Sequence, residues 1–78
     1  MTNVQIHLNS IDKVKSFVNA ISDFDYDFDI ISGRYVIDAK SIMGIFSLDL
    51  SKPINLAIHS DSPEEALEAI SEYISDGD

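Results

Sequence analysis

Val4, Ile6 and Leu8 alternate with Asn3, Gln5, His7 and Asn9. A period of two gives a strand one apolar and one polar face, so a strand is predicted over residues 2–8. The period then changes. Ile11, Val14, Val18 and Ile21, with Phe17 beside them, fall on one helical stripe, and Ser10 or Asn9 offers a capping oxygen, which predicts a helix over 11–21. Alternation returns in Asp23-Phe24-Asp25-Tyr26-Asp27-Phe28-Asp29-Ile30 as a second strand, and Ser32-Gly33 is a turn signal before a hairpin partner at Arg34–Asp38. From Ala39 to Leu50 the spacing of Ile42, Ile45 and Phe46 predicts a short helix capped by Ser41, with Gly44 counting against it. Ile54, Leu56 and Ile58 make a fourth strand.

Ser62-Pro63-Glu64-Glu65 then reads as a capping box opening a final helix, whose face carries Leu67, Ile70 and Ile74 with Ala66, Ala69 and Tyr73 at its edges. Ser75-Asp76-Gly77-Asp78 is expected to fray. The order is β-α-β-β-α-β-α. Amphipathic helices and half-polar strands pack economically as two layers, an α+β fold with a four-stranded antiparallel sheet and the helices on one face. That arrangement puts Asp25, Asp27, Asp29 and Asp38 on the open side, and Phe24, Phe28, Ile30, Ile37, Ile54, Leu56 and Ile58 beneath the helices.

Length limits this to a single domain over residues 1–78, and such a chain buries only roughly 60% of the surface its unfolded form exposes. The absence of cysteine removes disulfides, thiol nucleophiles and Cys-type zinc sites. Neither a signal-peptide pattern nor a membrane-length apolar run is present, so a cytoplasmic location is expected. Charge is uneven: seven acids and all five bases precede Pro53, for −2, whereas residues 53–78 hold seven acids and no base, for −7. Nucleic acid and anionic membrane surfaces would be repelled, and a protein with a basic face would be attracted.

Little in the chain suggests catalysis or a cofactor. Same-face aspartates on one strand stand about 6.8 Å apart, too far for one of them and its neighbour to hold a metal ion unaided. His7 and His59 both fall on the polar face of their strands, and neither has an acid, serine or second histidine adjacent in sequence to complete a recognisable constellation. Glycine-rich phosphate loops and HExxH spacing are absent. The segment around Ser41 differs, because a hydroxyl at a helix start follows Lys40 and precedes Ile42 and Met43, at least one of which must point outward on so short a helix.

Lys40-Ser41-Ile42-Met43-Gly44, continuing Ile45-Phe46-Ser47-Leu48, resembles the regulatory-serine segment of HPr, the phosphocarrier of the bacterial sugar phosphotransferase system, in its Gram-positive form. The resemblance covers nearly the whole chain and implies the HPr-like open-faced sandwich. It also implies that Ser41 is a phosphorylation site for a kinase of the HPr kinase/phosphorylase type. Ser41, Ile42, Met43 and Phe46, with Lys40 partly offsetting the phosphate, would then form the surface that docks on a catabolite-control transcription factor. Phosphorylation adds a charge of about −1.5 to −2, and a helix N-terminus favours an exposed anion by about 0.3–1 kcal/mol.

One departure bears on function. Working phosphocarriers carry Gly-x-His-x-Arg-Pro after the first strand, where the histidine takes the phosphate. In this chain the region is Leu8-Asn9-Ser10-Ile11-Asp12-Lys13, about three residues shorter, with Ser10 at the histidine position, Asp12 at the arginine and Lys13 at the proline. Asp12 would repel a phosphate dianion. The expectation is a non-enzymatic HPr-like protein without phosphohistidine transfer, acting through protein contacts around Ser41. Two alternatives stand beside it: a carrier that uses His7 as a displaced histidine, and a repurposed domain whose acidic last helix (Glu64, Glu65, Glu68, Glu72) binds a basic partner.

Overall fold

The computed structural model describes residues 1–75. Its elements run β1 (Thr2–Ile6), α1 (Ile11–Ser22), β2 (Phe28–Ser32), β3 (Tyr35–Asp38), α2 (Ile42–Phe46), β4 (Ile54–Ile58) and α3 (Glu64–Ala69), followed by a 3-10 turn at Ser71–Tyr73. The four strands form one antiparallel sheet in the order β1-β4-β2-β3. This is the α+β open-faced sandwich expected from the alternation of periods.

Register assigns the two faces. Ile37, Ile30, Leu56 and Val4 form one cross-strand row, with Phe28 beside Ile58 and Ile6 beside Ile54 in the flanking rows. Most of these side chains are buried with Val14, Phe17, Ile21, Ile45, Ala66, Ile70 and Tyr73 in one core between sheet and helices. The opposite face carries the row Asp38, Asp29, Ala57, Asn3 and the row Val36, Ile31, Asn55, Gln5.

Several expectations need correction. The alternating run from Asp23 does not become strand until Phe28, because α1 ends at Asp23 and the Phe24 amide bonds back to the Ile21 carbonyl. Phe24, Tyr26 and Phe28 stack on one another instead, with ring centroids 5.2–6.1 Å apart. Asp25 therefore lies in the approach to β2, not on it, and Phe24 and Ile37 are only half-buried. Ile11 is exposed, so the buried stripe of α1 is Val14, Phe17 and Ile21.

The second helix is five residues long rather than spanning 39–50. Asp38 turns the chain first, its carboxylate accepting from the Lys40 amide at 2.9 Å and its carbonyl from the Ser41 amide at 3.0 Å. Gly44 is there because α2 lies close on β3: a Cβ at this position would stand 2.7 Å from Ile37 Cγ2. The expected capping box does not form. Pro63 occupies the cap position without a side-chain bond, and the Ser62 amide donates to Ser60 Oγ instead. The last helix also breaks early at Ile70, letting Ile74 pair with Ile6 across an isolated bridge and the Ser75 amide donate to the Gln5 carbonyl. Ser75 is thus tied to β1, while the rest of the expected frayed tail lies outside the described residues.

Candidate functional site

Two serine-capped helix starts carry the chemistry in question. At α1, Ser10 has extended backbone and its Oγ accepts from the Lys13 amide at 3.1 Å, with Asp12 in the first turn. The hydroxyl is committed to capping, and the acidic group of that turn is a carboxylate. No imidazole belongs to this helix, since the two histidines are His7 and His59.

His7 lies just past β1, with its amide donating to the Tyr73 carbonyl at 2.8 Å. The ring is not on an open polar face, as the alternation had implied. It is half-buried, and its Nε2 is shut off from solvent with no hydrogen-bond partner among the described residues. The chain at 73–75, running along the end of β1, is what pure alternation could not reveal.

At α2, Ser41 is exposed and its Oγ accepts from the Gly44 amide at 3.3 Å. The first turn holds no acid. Around it, Met43 is 75% exposed and Phe46 38%, whereas Ile42 packs partly against the core. The outward pair is therefore Met43 with Phe46, not Ile42 with Met43. Lys40 has an internal duty: its Nζ donates to the Phe24 carbonyl at 2.6 Å and sits 5.8 Å from the Phe28 ring centroid. That bond holds the loop before β2 against the core. With five residues, α2 also has little dipole to offer, so the helix-end stabilisation expected of a longer helix does not transfer.

The open face of the sheet brings together groups that no local reading paired. His59 Nε2 lies 2.8 Å from Asp29 Oδ2, and Asp27 and Asp38 line the same shallow depression. Asp29 and Asp38 are direct cross-strand partners, an unfavourable like-charge pairing, and the His59 ring stands beside it. Among the described residues no three His, Asp or Glu side chains converge as metal ligands. The signal for this pair was the shared parity of Asp29 and His59 on the face opposite the core, invisible until the β2–β4 register is known.

Two titrations are displaced elsewhere. Hydrogen bonds from the Ser51 hydroxyl and amide hold the Asp49 carboxyl below its ordinary value. Burial pushes the Tyr73 phenol up, reinforced by Glu72 and opposed by the Ser16 hydroxyl. No helix among the described residues is long and apolar enough to cross a membrane.

Comparison with known proteins gives this geometry a family. The family model for the PTS HPr component phosphorylation site matches residues 12–76, beginning two residues past Ser10. Among solved structures, the chain is similar to HPr-C-His from Thermoanaerobacter tengcongensis, at 29% identity and a TM-score of 0.76 over 92% of this chain and 89% of that one. It is also similar to the phosphocarrier protein HPr from Bacillus anthracis str. Ames, at 32% identity and a TM-score of 0.73 over 95% and 94% of the two chains. With the family model matching residues 12–76 and the fold shared over 92–95% of the chain, the chain belongs to the HPr phosphocarrier family of the phosphotransferase system.

Proposed function

We propose that this family member has given up phosphohistidine transfer and works as a regulatory or interaction protein through the Ser41 segment. The observation that carries the reading is the contrast between a hydroxyl exposed beside Met43 and Phe46 and a first helix that starts with a capping serine and a carboxylate. Phosphoryl relay needs an accessible nitrogen beside groups that tolerate a dianion. Ser10 supplies no nitrogen, Asp12 opposes the charge, and the His7 Nε2 faces the interior.

Ser41 meets the opposite conditions. Ser41 is exposed, the one hydrogen bond its hydroxyl makes among the described residues is long, and the apolar pair beside it gives a partner something to grip once a phosphate is added. A kinase of the HPr kinase/phosphorylase type is the modifying partner, and a catabolite-control transcription factor the reader. Lys40, next to Ser41, ties this segment to the loop before β2 through the Phe24 carbonyl. No cofactor enters this reading.

Incubation with such a kinase and ATP tests it. Intact-protein and peptide mass spectrometry should find one acid-stable phosphate on Ser41, absent from Ser41→Ala. No phosphate, or phosphate on another serine, would overturn the reading.

A further inference from the structure

The two edges of the sheet are treated differently. Along β1 the chain at 73–75 supplies partners, with His7 bonded to Tyr73, Ile6 bridged to Ile74 and Ser75 bonded to Gln5. Along β3 nothing comparable occurs among the described residues, and β3 is the outermost strand. Hairpin parity shows which groups are left over. The Ala39 amide donates to the Phe28 carbonyl, so Ala39, Ile37 and Tyr35 turn their backbone groups toward β2. Val36 and Asp38 therefore turn theirs outward. The Asp38 carbonyl is taken by the Ser41 amide, and the Val36 amide and carbonyl face open solvent.

Exposed edges are commonly blunted by charge, proline or a bulge. Here charges stand only at the ends of the edge, and its middle presents Tyr35, 69% exposed, and Val36, 66% exposed. A shallow groove lined by Tyr35, Ile37, Ser47 and Leu48 runs beside it on the helix side. The edge strand and the turn residue before it read Arg34-Tyr35-Val36-Ile37-Asp38, which is self-complementary when read against itself in reverse. A two-fold axis at Val36 sets Val36 against its own copy, Tyr35 against Ile37, and Arg34 against Asp38. Arg34 makes no hydrogen bond or ion pair among the described residues, so it has a charge to give. Asp38 belongs to the acidic end of the open face, where Asp29 and Asp27 also stand.

We propose that β3 is a homotypic docking edge. Two copies of this chain pair antiparallel about Val36, joining their sheets into one eight-stranded sheet. Each Arg34 meets Asp38 of the other copy, and each Tyr35 enters the groove beside the opposing Ile37. The interface is isologous, so each contact occurs twice and the assembly closes at two copies. A four-residue edge covers far less than the roughly 800 Å² per partner of a stable complex, and each copy carries −9. The dimer is therefore a weak, concentration-dependent one. This proposal is independent of what happens at Ser41 and is tested with unphosphorylated protein.

Sedimentation velocity from about 10 µM to 1 mM, the span in which weak interfaces populate, should show reversible dimerisation. Arg34→Glu and Asp38→Lys should each be monomeric throughout, since each sets like charges against one another twice. Mixed in equal amounts the two variants should dimerise again. In the mixed pair the introduced carboxylate at position 34 of one chain meets the introduced ammonium at position 38 of the other, and the unaltered Arg34 and Asp38 meet each other. Val36→Lys, at an exposed site that leaves the β2 pairing intact, should abolish association with an unchanged circular dichroism spectrum. It serves also as the control if Asp38→Lys disturbs its turn and fails to fold. A chain that stays monomeric at the highest concentration, or a dimer indifferent to both Arg34→Glu and Val36→Lys, would overturn the proposal.

Discussion

The first and second helices both begin at a serine that caps its own N-terminus, and they differ in almost everything else. Around Ser10 the helix is twelve residues long, drives Val14, Phe17 and Ile21 into the core and holds a carboxylate in its first turn. Around Ser41 the helix is five residues long, buries only Ile45 fully and turns Met43 and Phe46 to solvent. A cap alone therefore says little about function. Capping satisfies orphan backbone donors in either place, and what separates a structural terminus from a usable one is what the helix behind it presents outward.

If that contrast is right, truncating an inward side chain of α1 should be costly and truncating an outward one of α2 should not. Phe17, fully buried and edge-on to Tyr73 at 5.9 Å, should cost about 3–5 kcal/mol as Phe17→Ala. Against a total stability of about 5–15 kcal/mol, that brings the fold near its limit. Met43→Ala should stay within about 0.5 kcal/mol. Urea unfolding monitored by circular dichroism measures both, and a comparable loss at Met43 would mean that α2 faces inward after all.

Gly44 probes the seat of α2. Alanine gains roughly 1 kcal/mol over glycine in helix propensity, but its Cβ would meet Ile37 Cγ2 at 2.7 Å in a strand that cannot easily retreat. Gly44→Ala should therefore lose up to about 2 kcal/mol net, the overpacking term being about 1–3 kcal/mol. Adding Ile37→Ala should cost less than the sum of the two single changes. Full additivity would show that the helix and β3 are not in contact there.

The caps themselves come next. Ser10→Ala should cost about 1 kcal/mol. Ser41→Ala should cost about half of that, because its bond is longer and the helix it starts is shorter. Equal losses would undo the distinction between a cap that holds its helix and one that is free to be modified.

The smallest effects are in pH. Tyr73, packed under α1, has its folded pKa raised, so the stability it contributes is full below the ordinary phenol value near 10 and is lost as pH rises through the folded one. Asp49, just after α2, has its folded pKa lowered. Its contribution is present above the ordinary carboxylate range and is lost as pH falls through the folded value. Ultraviolet titration of Tyr73 and NMR titration of Asp49 should show these opposite displacements, and Ser51→Ala should return Asp49 toward its ordinary value.

Much of this architecture was legible in the residues because the apolar period switches cleanly between two and 3.6. Val4-Ile6-Leu8, Ile54-Leu56-Ile58 and the Phe17 stripe each declare both element and face. What failed was tertiary. The alternation of Asp23 to Asp27 is strand-like, yet among the described residues there is no ladder for it beyond the bond from the His59 amide to the Asp27 carbonyl. Ser62-Pro63-Glu64-Glu65 has the composition of a capping box, but Ser60 takes the amide that the pattern would have used. Parity alone places His7 on the polar face and carries no information about the chain returning at 73–75.

At the site, Ser10 and Ser41 could be placed from sequence because caps are local. The internal bond of Lys40 to Phe24 spans 16 residues and the His59–Asp29 pair spans 30, and no local pattern encodes either. The open edge at β3 lies between these cases: Arg34 and Asp38 are plain in the sequence, but their outward complementarity needs the strand order.

The decisive experiment supplies the same protein with both phosphoryl donors. One reaction contains phosphoenolpyruvate and the general transferase of the phosphotransferase system; the other contains ATP and a kinase of the HPr kinase/phosphorylase type. Mass spectrometry with an acid-lability assay should find no phosphate from the first and one acid-stable phosphate on Ser41 from the second. Acid-labile phosphate from phosphoenolpyruvate that disappears in His7→Ala would contradict it and make the chain a working carrier.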